Sequence, residues 1–74
     1  MASVNPIDVH IGTRVRAHRE SVGLTAEALA KKSGISVEML DEIESGGARA
    51  DPLILFVLAS TLGCSVTDFY EGFT

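Results

Sequence analysis

Glycines at positions 23, 34, 46 and 63 cut this chain into pieces too short to stand alone. Each piece opens on a small polar residue that can cap a helix: Asn5 before Pro6, Thr25, Ser36, and Asp51 before Pro52. A polar cap, a proline at the first helical position and a glycine past the last turn are the start and stop signals of helices. The punctuation predicts helices from Pro6 toward Gly23, from Thr25 to Ser33, from Val37 to Glu44, and from Pro52 toward Gly63. A last turn, capped by Thr67, would run through Asp68, Phe69 and Tyr70. On the first helix Ile7, Ile11, Val15, His18 and Val22 fall within roughly ±40° of one direction, which marks a core stripe. No segment alternates with period two over a useful length, so no sheet is expected. Helices this short hold together only by packing on one another. The expected fold is therefore all-α, a compact bundle of four to five helices.

The chain has 74 residues, which supports one core and predicts a single domain over 1–74. A 46% hydrophobic and 22% charged composition excludes a disordered or collagen-like chain. The single cysteine, Cys64, cannot form an internal disulfide. A small domain without staples and without a visible signal peptide suits a reducing, cytoplasmic setting. The longest apolar run, Leu53 to Ala59, is far short of a bilayer span, so no membrane partner is expected. Net charge is −4 and unevenly spread. Residues 1–34 carry five cations against three acids, whereas residues 35–74 carry Arg49 alone against seven acids. That balance opposes non-specific attraction to phosphates.

Catalytic and cofactor chemistries find no constellation here, and the chain is not expected to be an enzyme. His18 has only the distant His10 and Cys64 as other soft ligands, so no metal is expected. It reads as a neutral, hydrogen-bonded core histidine. Asp8, His18 and Ser21 offer the residue types of a nucleophilic triad, but Asp8 lies roughly 15 Å back along the helix from His18. Gly46-Gly47 lacks the Lys and Ser/Thr of a phosphate-cradling loop and reads as a helix stop. Phe69, Tyr70 and Phe73 have no interleaved cations and read as packing residues. Cys64 reads as a small buried hydrophobe. No small-molecule ligand or cofactor is implied.

The centre of the chain runs Gly23-Leu24-Thr25-Ala26-Glu27-Ala28-Leu29-Ala30-Lys31-Lys32-Ser33-Gly34-Ile35-Ser36-Val37. The stretch Ile43-Glu44-Ser45-Gly46 follows, and later Leu62-Gly63 and Val66-Thr67-Asp68-Phe69-Tyr70. These pieces, preceded by Ile11-Gly12-Thr13-Arg14-Val15-Arg16, resemble the Cro and lambda-repressor (XRE-like) helix-turn-helix regulators over about residues 7–70. The opening Asn5 to Gly12 is similar to the start of such regulators from alphaproteobacteria. The resemblance implies a lambda-repressor-like bundle with its helix-turn-helix unit at about residues 25–45. It also implies binding of double-stranded DNA, commonly as a homodimer on a two-fold site. Carried over by position, Val37, Glu38 and Glu42 would face bases, with Ser36 at the helix entrance. Ala26, Ser45 and Arg49 would face phosphates. Glu44 lies on the apolar arc of the third helix and must be paired there. In the family, residues at the positions of Arg19 and Glu44 form a salt bridge tying the first helix to the third.

The chain departs from the family at two points. Ala26 stands where a phosphate-reaching Gln is usual, and the third helix presents Glu38, Asp41 and Glu42 where cations or amides are usual. Glu can accept from cytosine N4, yet three carboxylates beside a polyanion need cations to hold them. Two functions follow as expectations: a transcriptional regulator with weak or atypical DNA affinity, or a helix-turn-helix turned into a protein-interaction and dimerisation module. On the fourth helix Leu55, Leu58, Ala59 and Leu62 form one sufficient core face. Leu53, Ile54, Phe56 and Val57 lie around the other side, where a dimer interface is expected.

Overall fold

Each main helix begins on a side chain that satisfies an otherwise free amide. In the computed structural model, which describes residues 5–73, α1 spans Pro6–Ser21, α2 Ala26–Ser33, α3 Val37–Ser45 and α4 Pro52–Leu62. Asn5 accepts from the Ile7 amide at 3.0 Å, and Thr25 from Ala28 at 3.1 Å. Ser36 accepts from Met39 at 3.1 Å, and Asp51 from Ile54 at 2.9 Å. Gly34, Gly46 and Gly63 end their helices at φ of 76°, 81° and 76°. Those left-handed conformations let the chain turn without a Cβ clash.

A 3-10 turn over Val66–Phe69 closes the fold. It begins earlier than Thr67 because Ser65 is the capping residue. The Asp68 carboxylate accepts the Ser65 amide at 2.9 Å, while Ser65 Oγ pairs with Thr67 Oγ1 at 2.8 Å. That amide holds the Asp68 carboxyl below its usual range. A depressed folded-state value stabilises above the unfolded value of about 3.9, and the gain is lost as pH falls through the folded value. The destabilisation of Asp68→Asn, read from urea midpoints, should therefore be larger at pH 7 than at pH 3. Equal effects at both pH values would contradict this account.

The core collects one face of every helix. Val15, Leu29, Leu40, Leu58 and Phe69 are fully buried, with Ile11, Ala30, Leu55, Ala59 and Leu62 around them. Each such large side chain contributes roughly 1.5–3 kcal/mol against exposure. Val22 falls out of the expected stripe and is half exposed, because α1 ends at Ser21 and Val22 is its C-cap. His18 is only half-buried. Its ring meets Phe69 edge-on at 5.7 Å, with Arg14 Nη2 3.5 Å from its Nε2. Cys64 likewise packs against the core without being fully enclosed, and partial burial beside Asp68 pushes its thiol up. No described helix is long and apolar enough to cross a membrane.

Helices α1 and α3 cross at very close range, and Gly12 is the reason. A Cβ placed on Gly12 would overlap the Ile43 carbonyl oxygen and lie 2.7 Å from that of Glu44. Seven residues beyond Gly12, the Arg19 guanidinium grips the Glu44 carboxylate with two bonds, of 2.8 Å and 3.1 Å. The pair is nearly enclosed, with 12% and 8% of the side chains exposed. Arg19 also donates to the Leu24 carbonyl at 2.9 Å, fixing the bend that leads into α2. The Glu44 bond raises the Arg19 pKa further above its ordinary value.

Candidate nucleic-acid interface

The α2–turn–α3 unit presents one exposed helical face on a rigid base. Gly34 turns the chain, and the Ile35 amide closes back on the Ala30 carbonyl at 3.1 Å. Ser36 then starts α3 at once. Leu29 and Ala30 from α2 and Leu40 and Ile43 from α3 point inward, so the register of α3 is set by its buried side. Its outer side carries Glu38, Met39, Asp41, Glu42 and Ser45, all exposed.

The expected contact residues divide in two. Ser36, Glu38, Glu42, Ser45 and Arg49 lie at the surface. Val37 and Ala26 are half-buried and pack against the core. Their small apolar side chains help seat α2 and α3, so little of either reaches outward. Ser36 and Ser45 have local duties: the first caps α3, and the second donates to the Glu42 carbonyl at 3.0 Å. Glu42 bends back over Gly47, where a Cβ would lie 2.9 Å from its Oε2. Met39, 42% exposed, is an outward apolar side chain that sequence reasoning did not single out. Its signal was available, since it is two residues from Val37 and falls on the opposite face of α3.

Cations near this face are few. Arg49 donates to Asp8 at 3.0 Å and 3.5 Å, so it bridges to α1 although its own side chain is 65% exposed. Arg16 pairs with Glu20 at 3.3 Å, and Arg14 donates to the Asp68 carbonyl at 3.2 Å. Among the described residues only Lys31 and Lys32, exposed in the last turn of α2, take part in no ion pair. The last turn of α3 carries no basic residue, and Glu42 and Glu44 lie there at the negative end of the helix dipole, whereas Glu38 in the first turn lies at the positive end. Among the described residues no three His, Cys, Asp or Glu side chains are grouped to hold a metal.

The helix-turn-helix family model matches residues 15–69. The chain belongs to the helix-turn-helix family of transcriptional regulators. A helix-turn-helix-type transcriptional regulator from Sinorhizobium medicae is 33% identical over 67 residues, 90% of this chain and 48% of its own. YazB of Bacillus subtilis, also a helix-turn-helix-type regulator, is 40% identical over 57 residues, covering 77% of this chain and 83% of its own. The DNA-binding domain of the P22 c2 repressor superposes with a TM-score of 0.79 at 27% identity, over 84% of this chain and 82% of that one. This helix-turn-helix chain spans about half the length of the first of these relatives.

Proposed function

We propose that this helix-turn-helix domain binds double-stranded DNA, laying α3 in the major groove and resting α2 across the backbone. The observation that carries the reading is the outer face of α3, exposed on a capped, glycine-turned unit whose inner face is locked in the core. The similarity to a repressor's DNA-binding domain supports the same placement. Glu38 and Glu42 would accept from cytosine amino groups, and Met39 would offer apolar contact to a thymine methyl. Lys31, Lys32 and Arg49 supply the cations for phosphates. Two such domains related by a two-fold axis would read half-sites about 34 Å apart.

Affinity is expected to be low, because three carboxylates share the reading face. With two or three phosphates neutralised per domain, log K should fall with log salt at a slope of about −2 to −3. Selection from a random duplex library at two salt concentrations tests the reading, and enrichment of a defined site is the expected result. On that site Arg49→Ala should weaken all sequences alike. Glu42→Gln should strengthen non-specific binding by removing repulsion, and a loss of specific affinity would assign Glu42 to a base. The acidic outer face also favours a second reading, a module that meets a basic protein surface. Failure of any duplex to enrich with the fold intact would select it.

A further inference from the structure

Of the α4 residues expected at an interface, Ile54 packs against the core and Val57 is half-buried. Only Leu53 and Phe56 of the four stay out, 70% and 61% exposed. A more particular arrangement lies at the end of α3, where Gly46 and Gly47 follow one another. Gly46 is required by its left-handed φ of 81° and by the Val9 Cα, which a Cβ would meet at 2.9 Å. Gly47 has neither reason. Its φ is not positive, it is exposed, and its amide donates to the Glu42 carbonyl at 2.9 Å. Alanine would fit that backbone. The one atom a Cβ there would crowd is Glu42 Oε2, at 2.9 Å, with Ser45 Oγ at an ordinary contact distance of 3.4 Å.

A long side chain on a helix leans toward the N-terminus. For Glu42 that direction leads to Glu38, one turn back on the same exposed face, and two carboxylates at that spacing repel. The Glu42 carboxylate lies instead over the bare Cα of Gly47. Among the described residues it forms no ion pair, so it is lodged there without being fastened. We propose that Gly47 is a positioning residue for Glu42, giving its carboxylate a resting place off the reading face of α3 from which it swings out to accept from a cytosine amino group. This rests on the DNA reading above. A duplex that offers no such donor meets α3 with one carboxylate withdrawn, and a site that offers one draws it out. Gly47 thereby softens the repulsion that an acidic α3 exerts on non-cognate phosphates, and it sets the ratio between specific and non-specific affinity.

Fluorescence anisotropy at low salt compares two probes, the duplex enriched from the library and a poly(dA-dT) duplex, which contains no cytosine. Gly47→Ala should bind poly(dA-dT) about 3- to 5-fold more weakly than the unaltered chain, the scale of one further carboxylate near phosphates in water. It should bind the enriched duplex no worse. In a Glu42→Gln chain the same exchange has no charge to displace, and it should change neither affinity. The melting temperature should not fall, because the backbone at position 47 accepts alanine. Without DNA, nuclear Overhauser contacts between Glu42 Hγ and Gly47 Hα report the resting place directly. If the unaltered chain bound no duplex, the DNA reading and the specificity role would fail together, and those contacts would still decide where the carboxylate lies. Where the unaltered chain does bind, the proposal alone is overturned by any of three results: Gly47→Ala unchanged on poly(dA-dT), an equal loss with and without the Glu42 carboxylate, or absence of the Overhauser contacts.

Discussion

Exchanging Glu44 for glutamine is expected to lower the melting temperature by about 12–40 °C. The carboxylate is nearly enclosed and takes both of its bonds from Arg19. Without it the guanidinium keeps its charge in a place water barely reaches. Breaking a buried pair by removing one partner costs about 3–5 kcal/mol. Each kcal/mol is worth roughly 4–8 °C in a domain of this size. Net stability at roughly 0.05–0.15 kcal/mol per residue is of comparable size, so Glu44→Gln should sit close to unfolding at 37 °C. The paired exchange Arg19→Met with Glu44→Leu should recover most of the loss, because the desolvation of both charges disappears together. Thermal melts followed by circular dichroism read both results. A melting temperature unmoved by Glu44→Gln would mean that the pair is solvated in solution.

Gly12→Ala should also destabilise, against the usual preference for alanine in a helix. Alanine gains about 1 kcal/mol over glycine at an interior helical position. Here the added methyl would run into the carbonyl oxygens of Ile43 and Glu44, which belong to the backbone of α3 and cannot rotate away. The helices must separate, and the separation strains the Arg19–Glu44 bridge that spans the same crossing. Overpacking costs about 1–3 kcal/mol. The damage to the bridge adds to it, and a net loss of about 2 kcal/mol or more is expected. Thr13→Ala, one residue on and exposed, is the control and should change stability by no more than about 0.5 kcal/mol. Urea denaturation compares the two directly, and a stabilised Gly12→Ala would contradict the close crossing.

Local chemistry made the helices readable in advance. Asn5, Thr25, Ser36 and Asp51 are capping residues wherever they precede a periodic apolar segment, and all four cap helices here. The all-α fold and the helix-turn-helix family followed from those local signals and the motif around Gly34. What escaped depends on contacts remote in sequence. Gly12 reads as a weak spot in a helix until α3 is laid across it. Arg49 was expected at a phosphate, and its bond to Asp8 joins residues 41 apart. His10 binds the Glu71 carbonyl at 2.7 Å, 61 residues on, and meets the Phe73 ring at a tilt, centroids 5.4 Å apart, which draws the C-terminal segment onto α1. Periodicity put Val37 on the apolar arc of α3, while the base-facing role came from the resemblance alone. The structure keeps the periodicity's side, since Val37 packs against the core.

The placement of α3 is the central claim, and amide chemical shifts report it most directly. A uniformly 15N-labelled chain would be titrated with the duplex enriched from the library at low salt. The account predicts that the largest shifts fall on the amides of α3 from Ser36 to Glu42 and on those of Lys31, Lys32 and Arg49, with Leu53 and Phe56 unmoved by the DNA itself. Shifts confined to α4 or to the first half of α1, or none at saturating duplex, would contradict it.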